Sequence, residues 1–123
     1  FLTCWRAVSP FNGALAKALE RHVGTDAAIK ARAPFSFRDG DLISKLLVDA
    51  GFKIARHEPL VLERRFIDLR AQIMALPIET DLRDAGADVT NKVVEEVADA
   101  LSRYDKEGVL HVPQEAHLLV AAA

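Results

Sequence analysis

The sequence predicts an α/β domain, and three stretches carry that expectation. Residues Leu42 to Ile54, LISKLLVDAGFKI, combine an amphipathic helix, a glycine stop and the start of a strand. Leu42, Ile43, Leu46, Leu47 and Ala50 recur at three- and four-residue spacing and share one helix face. Gly51 supplies the left-handed position that ends the helix, and Phe52 and Ile54, two apart, share one face of the segment that follows. The second stretch, Phe1 to Trp5, is an almost wholly apolar, strand-favouring run of the kind covered on both faces. The third, Ala116 to Ala123, reads as a buried final strand. A helix packing back onto its own strand is the repeating unit of an α/β sheet.

The remaining elements fall between these three. Ser9-Pro10 is a helix start, with Ser as N-cap and Pro in the first turn, and Phe11, Leu15, Ala18, Leu19 and His22 form its stripe up to Gly24. Asp26 to Arg32 is a second short helix capped by Asp26, and Ala33-Pro34 breaks it. Phe35-Ser36-Phe37 is a short extended segment or a lid over a pocket, and Asp39 or Asp41 caps the helix of the central unit. The strand from Phe52 reaches about Glu58, where Pro59 interrupts it before Leu60-Val61-Leu62 resumes. Phe66, Leu69, Ile73 and Leu76 mark a further helix ended by Pro77, and Glu79 to Gly86 reads as a turn or loop. The longest helix, Asp88 to Tyr104, repeats Val89, Val93, Val97 and Leu101 every four residues. Lys106-Glu107-Gly108 is a turn, and Val109 to Val112 is a short strand broken by Pro113.

Composition bounds the function classes. A chain of 123 residues, half apolar and about a quarter charged, is one globular domain. Its net charge of −2 gives no electrostatic footprint for nucleic acid or an anionic membrane. A single cysteine, Cys4, excludes an internal disulfide and fits a reducing, cytoplasmic setting. No apolar run approaches a membrane span or a signal peptide. The chain begins at Phe1, inside an apolar run, and it carries few strands for its helices. Both features lead us to expect that it is part of a longer protein.

Little in the chain spells out chemistry. It has no glycine-rich dinucleotide or phosphate motif, no H-E-x-x-H and no cysteine pair, so neither a cofactor cradle nor a zinc site is written in it. Ser9, Ser36, Ser44 and Ser102 lack a nucleophile-elbow context. His22 suits a helix C-terminus, His111 and His117 flank or occupy the last strand, and His117, with apolar neighbours, reads as a satisfied core histidine. His57, beside Glu58 near a strand end, is the candidate general base. Arg64-Arg65 reads as a solvated pair at a helix start. Trp5-Arg6 is the best-placed binding candidate, because open α/β sheets bind ligands beyond the carboxyl ends of their strands.

Four segments, FLTCWR, PFNGALAKALERHVG, RAPFSFRDGDLISKLLVDAGF and VPQEAHLLVAA, occur in this order and span essentially the whole chain. Together they resemble the C-terminal half of class I S-adenosylmethionine-dependent methyltransferases, of the ubiquinone/menaquinone-biosynthesis-like, "type 11" group. The resemblance implies a partial Rossmann-like sheet of that family's strands five, six and seven, with four or five helices and the last strand antiparallel between the other two. It implies a mixed sheet in which the cofactor-holding strands lie N-terminal to Phe1, so no cofactor-binding or catalytic residue carries over. Trp5, Arg6, Phe35 and Phe37 become walls of the acceptor-substrate pocket by this resemblance, and His57 is added to them as a candidate.

The expected function is therefore the acceptor-substrate side of a methyltransferase, inactive as an isolated chain. S-adenosylmethionine and a small-molecule methyl acceptor belong to the parent protein, and no metal, nucleic acid or membrane is implied. An open, apolar first strand and uncovered helix stripes imply a homodimer. The alternative is a stand-alone, non-catalytic α/β interaction or ligand-binding module. A small enzyme built on His57 or His117 is a third, weaker reading.

Overall fold

The structure, a computed structural model, covers residues Phe1–Ala123. Its elements run β1 (Leu2–Trp5), α1 (Pro10–His22), α2 (Thr25–Arg32), α3 (Gly40–Asp49), β2 (Lys53–Phe66), α4 (Leu69–Met74), α5 (Glu79–Ala85), α6 (Ala87–Ala100), β3 (Asp105–Lys106) and β4 (Val109–Ala122). Single 3-10 turns at Ala33–Phe35 and Ser102–Tyr104 extend α2 and α6. The chain is thus α/β with six α-helices, more than the four or five anticipated.

The final strand is the centre of the sheet. β4 pairs antiparallel with β1, from Leu2↔Leu119 to Trp5↔Ala116, and antiparallel with β2, from Lys53↔Ala122 to Phe66↔Leu110. The order is β1-β4-β2, and the two-residue β3 pairs with the start of β4. β1 and β2 therefore run the same way on either side of β4. Within this chain every pairing is antiparallel, so the mixed sheet implied by the resemblance is not formed here.

Neither proline breaks its strand. Pro59 lies inside a continuous β2, paired opposite His117, and Pro113 lies inside a continuous β4, opposite Glu63. β2 is an edge strand, where a missing N–H costs least. At Pro113 the other side of β4 is open, because β1 reaches only Ala116–Leu119 and β3 only Val109 and Leu110. The strand is therefore longer than proline positions alone suggest.

Capping explains the helix starts. The Ser9 side chain accepts the Asn12 N–H at 3.0 Å and donates to Asn12 Oδ1 at 2.9 Å, closing a buried cap on α1. Asp39, not Asp41, caps α3, accepting from the N–H groups of Asp41 and Leu42. Gly24, rather than Asp26, precedes α2. Gly51 has φ +98° after α3, as its left-handed role requires. The segment Glu79–Ala85 is helical rather than a loop, because Leu82 anchors it in the core. Phe66 ends β2 instead of starting a helix.

One core lies between the sheet and the helices α1, α2, α4, α5 and α6. Phe11, Leu15, Leu19, Phe66, Ile73, Val93, Val97 and Val112 belong to it and are essentially inaccessible. Phe11 and Phe66 meet at 4.6 Å between ring centroids, and the Arg64 guanidinium lies over Phe66 at 4.7 Å. Arg64 is thus a packed strand residue rather than half of a solvated pair. Helix α3 packs alone on the opposite sheet face, against β2 and β4. Only Ile43 of its apolar stripe is buried; Leu42 and Leu46 face outward at 44% and 50% exposure.

Candidate functional site

The residues with chemical potential gather where β1 ends and α3 begins. A shallow basin of about 260 Å³ opens there, lined by Arg6, Arg38, Asp39, Gly40, Asp41 and His57, with His117 in its floor. Strand register brings the two histidines together. His117 pairs with Pro59, and His57 pairs with Leu119, so the histidines are diagonal neighbours on one sheet face. Helix α3 supplies the third side, with Gly40 and Ser44 one turn apart toward the sheet.

Gly40 is needed for close approach. A Cβ at this position meets His117 Cε1 at 2.6 Å and His57 Nε2 at 2.8 Å. The first turn of α3 is therefore pressed directly onto both imidazole rings.

The hydrogen bonds fix the histidine tautomers. His117 Nε2 lies 3.0 Å from the Arg38 carbonyl oxygen, which can only accept, so this nitrogen carries the proton. In neutral His117 the other nitrogen, Nδ1, is then an acceptor, and His57 Nε2 donates to it at 3.1 Å. That leaves His57 Nδ1 with its lone pair, facing Ser44 Oγ at 3.4 Å. The distance is long for a hydroxyl donor, so the Ser44 contact is the weakest link in the chain. His117 is 9% exposed, whereas His57 is exposed. Glu58 does not orient His57: alternation puts it on the other face, where it accepts from Arg56 Nη2 at 2.6 Å.

The aromatic candidates divide. Trp5 packs on Phe35 with ring centroids 5.7 Å apart. Phe35 is 2% exposed and belongs to a 3-10 turn rather than an extended segment or lid, while Phe37 is 50% exposed and does not line the basin. The structure therefore brings together Trp5 with Phe35, and Arg6 with His57, and leaves Phe37 aside. Sequence reading did not place Arg38 or Gly40 in the site, and it took His117 for a satisfied core histidine. Their only local signal is the Arg38-Asp39-Gly40 run at the start of α3.

The other titratable clusters are structural. His22, at the end of α1, lies 2.6 Å from Glu96 of α6, and Arg21 Nη1 donates to the same carboxylate at 2.9 Å. The His22 contact, with Arg21 beside it, holds the Glu96 carboxyl below its usual range. His111 does the same for Glu63 across β4 and β2. Burial pushes the Cys4 thiol up, making it a poor nucleophile. No group of three or more His, Cys, Asp or Glu side chains is arranged to hold a metal ion. No helix is long and apolar enough to cross a membrane. Neither protein-family models nor curated proteins give a match to this sequence.

Proposed function

We propose that this chain is the C-terminal, acceptor-substrate side of a class I S-adenosylmethionine-dependent methyltransferase. The observation that carries the reading is the strand arrangement. β4 runs antiparallel between β1 and β2, which run alike, and the resemblance implies this arrangement for the family's strands five, seven and six. A second support is position: Arg6 follows the carboxyl end of β1 and lines the basin, where open α/β sheets bind ligands.

The residues present do not fit the cofactor. Gly24, Gly51, Gly86 and Gly108 sit singly at positive φ with nothing within 4 Å of an added Cβ, and the space beside Gly40 is filled by two histidine rings. None of them forms a cradle for a nucleoside. No methyl-transfer step is therefore assigned to this chain. Its contribution is to orient the small-molecule acceptor in the basin on the Arg6 side of the sheet, and orientation is a large part of bringing two reactants together. The reading frame upstream of Phe1 tests this directly. An in-frame glycine-rich strand and loop supports the proposal, and its absence sinks it.

The outward apolar side of α3 and the unpaired outer edge of β1 favour a second reading. These surfaces suit a stand-alone α/β interaction or ligand-binding module that associates as a homodimer. An upstream frame without the glycine-rich segment favours this reading over the first.

A further inference from the structure

We infer that the basin between Arg6 and Arg38 binds the carboxylate of a small organic acid. Its two guanidinium groups share one frame. Arg6 directly follows Trp5, whose ring packs on Phe35, and Arg38 Nη1 donates to the Phe35 carbonyl oxygen at 2.6 Å. Phe35 is buried, so the frame is anchored in the interior. The main chain of Arg38 is held again by the His117 Nε2–H, and Gly40 is wedged against both histidine rings. The segment carrying Arg38 is thus fixed from the side chain, the carbonyl and Gly40 two residues on.

Neither guanidinium is held in a direct ion pair. The structure contains seven ion pairs, and none includes Arg6 or Arg38. Two carboxylates also line the basin. Asp39 directs its Oδ1 into the N-terminus of α3, accepting from Asp41 and Leu42 at 3.0 and 3.2 Å. Asp41 is the carboxylate left without a hydrogen-bond donor of its own. The two aspartates match the two arginines in formal charge, so the basin lacks the net positive charge that holding a doubly charged phosphate calls for. The planar carboxylate also matches the forked donors of a guanidinium. The acceptor-side reading enters only in naming this acid as the methyl acceptor; the binding itself requires no cofactor.

The test is an NMR and calorimetric titration of the 123-residue chain with benzoate, inorganic phosphate and benzyl alcohol as probes. Benzoate is expected to give saturable shifts at the amides of Arg6, Arg38 and Gly40, phosphate to bind more weakly, and benzyl alcohol to leave these signals in place. Arg6→Ala and Arg38→Gln should each weaken benzoate by about tenfold or more, the usual worth of a charged hydrogen bond. Arg6 is exposed and outside every ion pair, so its variant keeps the fold. Asp41→Asn should tighten benzoate severalfold, an effect opposite in sign to general damage. No saturable benzoate response, an equal response to benzyl alcohol, tighter phosphate than benzoate, or an Arg6→Ala variant that binds like the parent would each overturn the inference. Such a failure leaves the methyltransferase reading standing with an uncharged acceptor, while an upstream frame without the glycine-rich segment overturns that reading and leaves the carboxylate site untouched.

Discussion

At Gly40 a single missing methyl group holds the basin together. Its absent Cβ lets α3 rest on His57 and His117, and restoring it places carbon within 3 Å of both rings. His57 is exposed and can swing away, but His117 is buried and tied to the Arg38 carbonyl. Gly40→Ala should therefore cost about 1 to 3 kcal/mol, as overpacking does, and should break the His57–His117 hydrogen bond. Denaturant unfolding reads the first effect and imidazole ¹⁵N shifts the second. At this scale the sequence was partly legible. Arg6 and His57, singled out by residue type, both line the basin, whereas Trp5 does not, and His57 lies inside β2 rather than at a strand end. The pairing of His57 with His117 was not legible, because it is set by the register of two strands sixty residues apart, and a one-residue slip would send the side chains to opposite faces. Arg38 is held in place through its own carbonyl and through the Phe35 carbonyl, main-chain contacts for which a side-chain pattern carries no signal.

Between residue and molecule, helix ends were the best-read features and strand lengths the worst. The α1 start at Ser9-Pro10, the Asp39 cap and the Gly51 stop all follow from local chemistry that acts within four residues. Ser9 is buried and bonds twice to Asn12, whose Nδ2 in turn donates to the Ala31 carbonyl at 2.9 Å. Ser9→Ala should therefore lower stability by about 1 to 2 kcal/mol, measured as a shift of the urea midpoint at unchanged slope. The strands through Pro59 and Pro113 were misjudged because proline's cost depends on whether a neighbouring strand needs its N–H, which is a fact of sheet position. Helix α5 was read as a loop because Glu79-Thr80-Asp81 is polar; tertiary burial of Leu82 overrides that local character. The α1–α6 contact adds a pH dependence. The Glu96 carboxyl is held below its usual range in the folded protein, chiefly by His22 and then by Arg21. Its stabilisation is therefore fully present above the ordinary glutamate pKa and lost as acid carries the pH down through the lowered value. Thermal melts of Glu96→Gln and the parent should differ at neutral pH and converge in acid.

For the whole molecule, the α/β class was legible from helix–strand alternation, but the exposure of the α3 stripe was not, because Leu42 and Leu46 read as part of the face that packs back onto the following strand. Leu42, Leu46 and Val48 on α3, with Phe52 beyond it, are all between 40% and 55% exposed. The outer edge of β1 has no partner strand. Both surfaces should drive self-association, so sedimentation velocity is expected to show a dimer that dissociates on dilution. Leu42→Glu combined with Leu46→Glu should weaken it if α3 forms the contact, while altering stability by only about 0.5 kcal/mol per exposed site. A compact monomer at every concentration would remove the dimer from the account. The central claim concerns the cofactor: these strands and helices are expected to shape an acceptor site while the residues that hold S-adenosylmethionine lie elsewhere. Isothermal calorimetry of S-adenosylmethionine, on the 123-residue chain and on the product of the full reading frame, tests it most directly. The account predicts no measurable heat of binding for the chain and saturable binding for the longer product. Micromolar binding to the 123-residue chain alone, or none to the longer product, would contradict it.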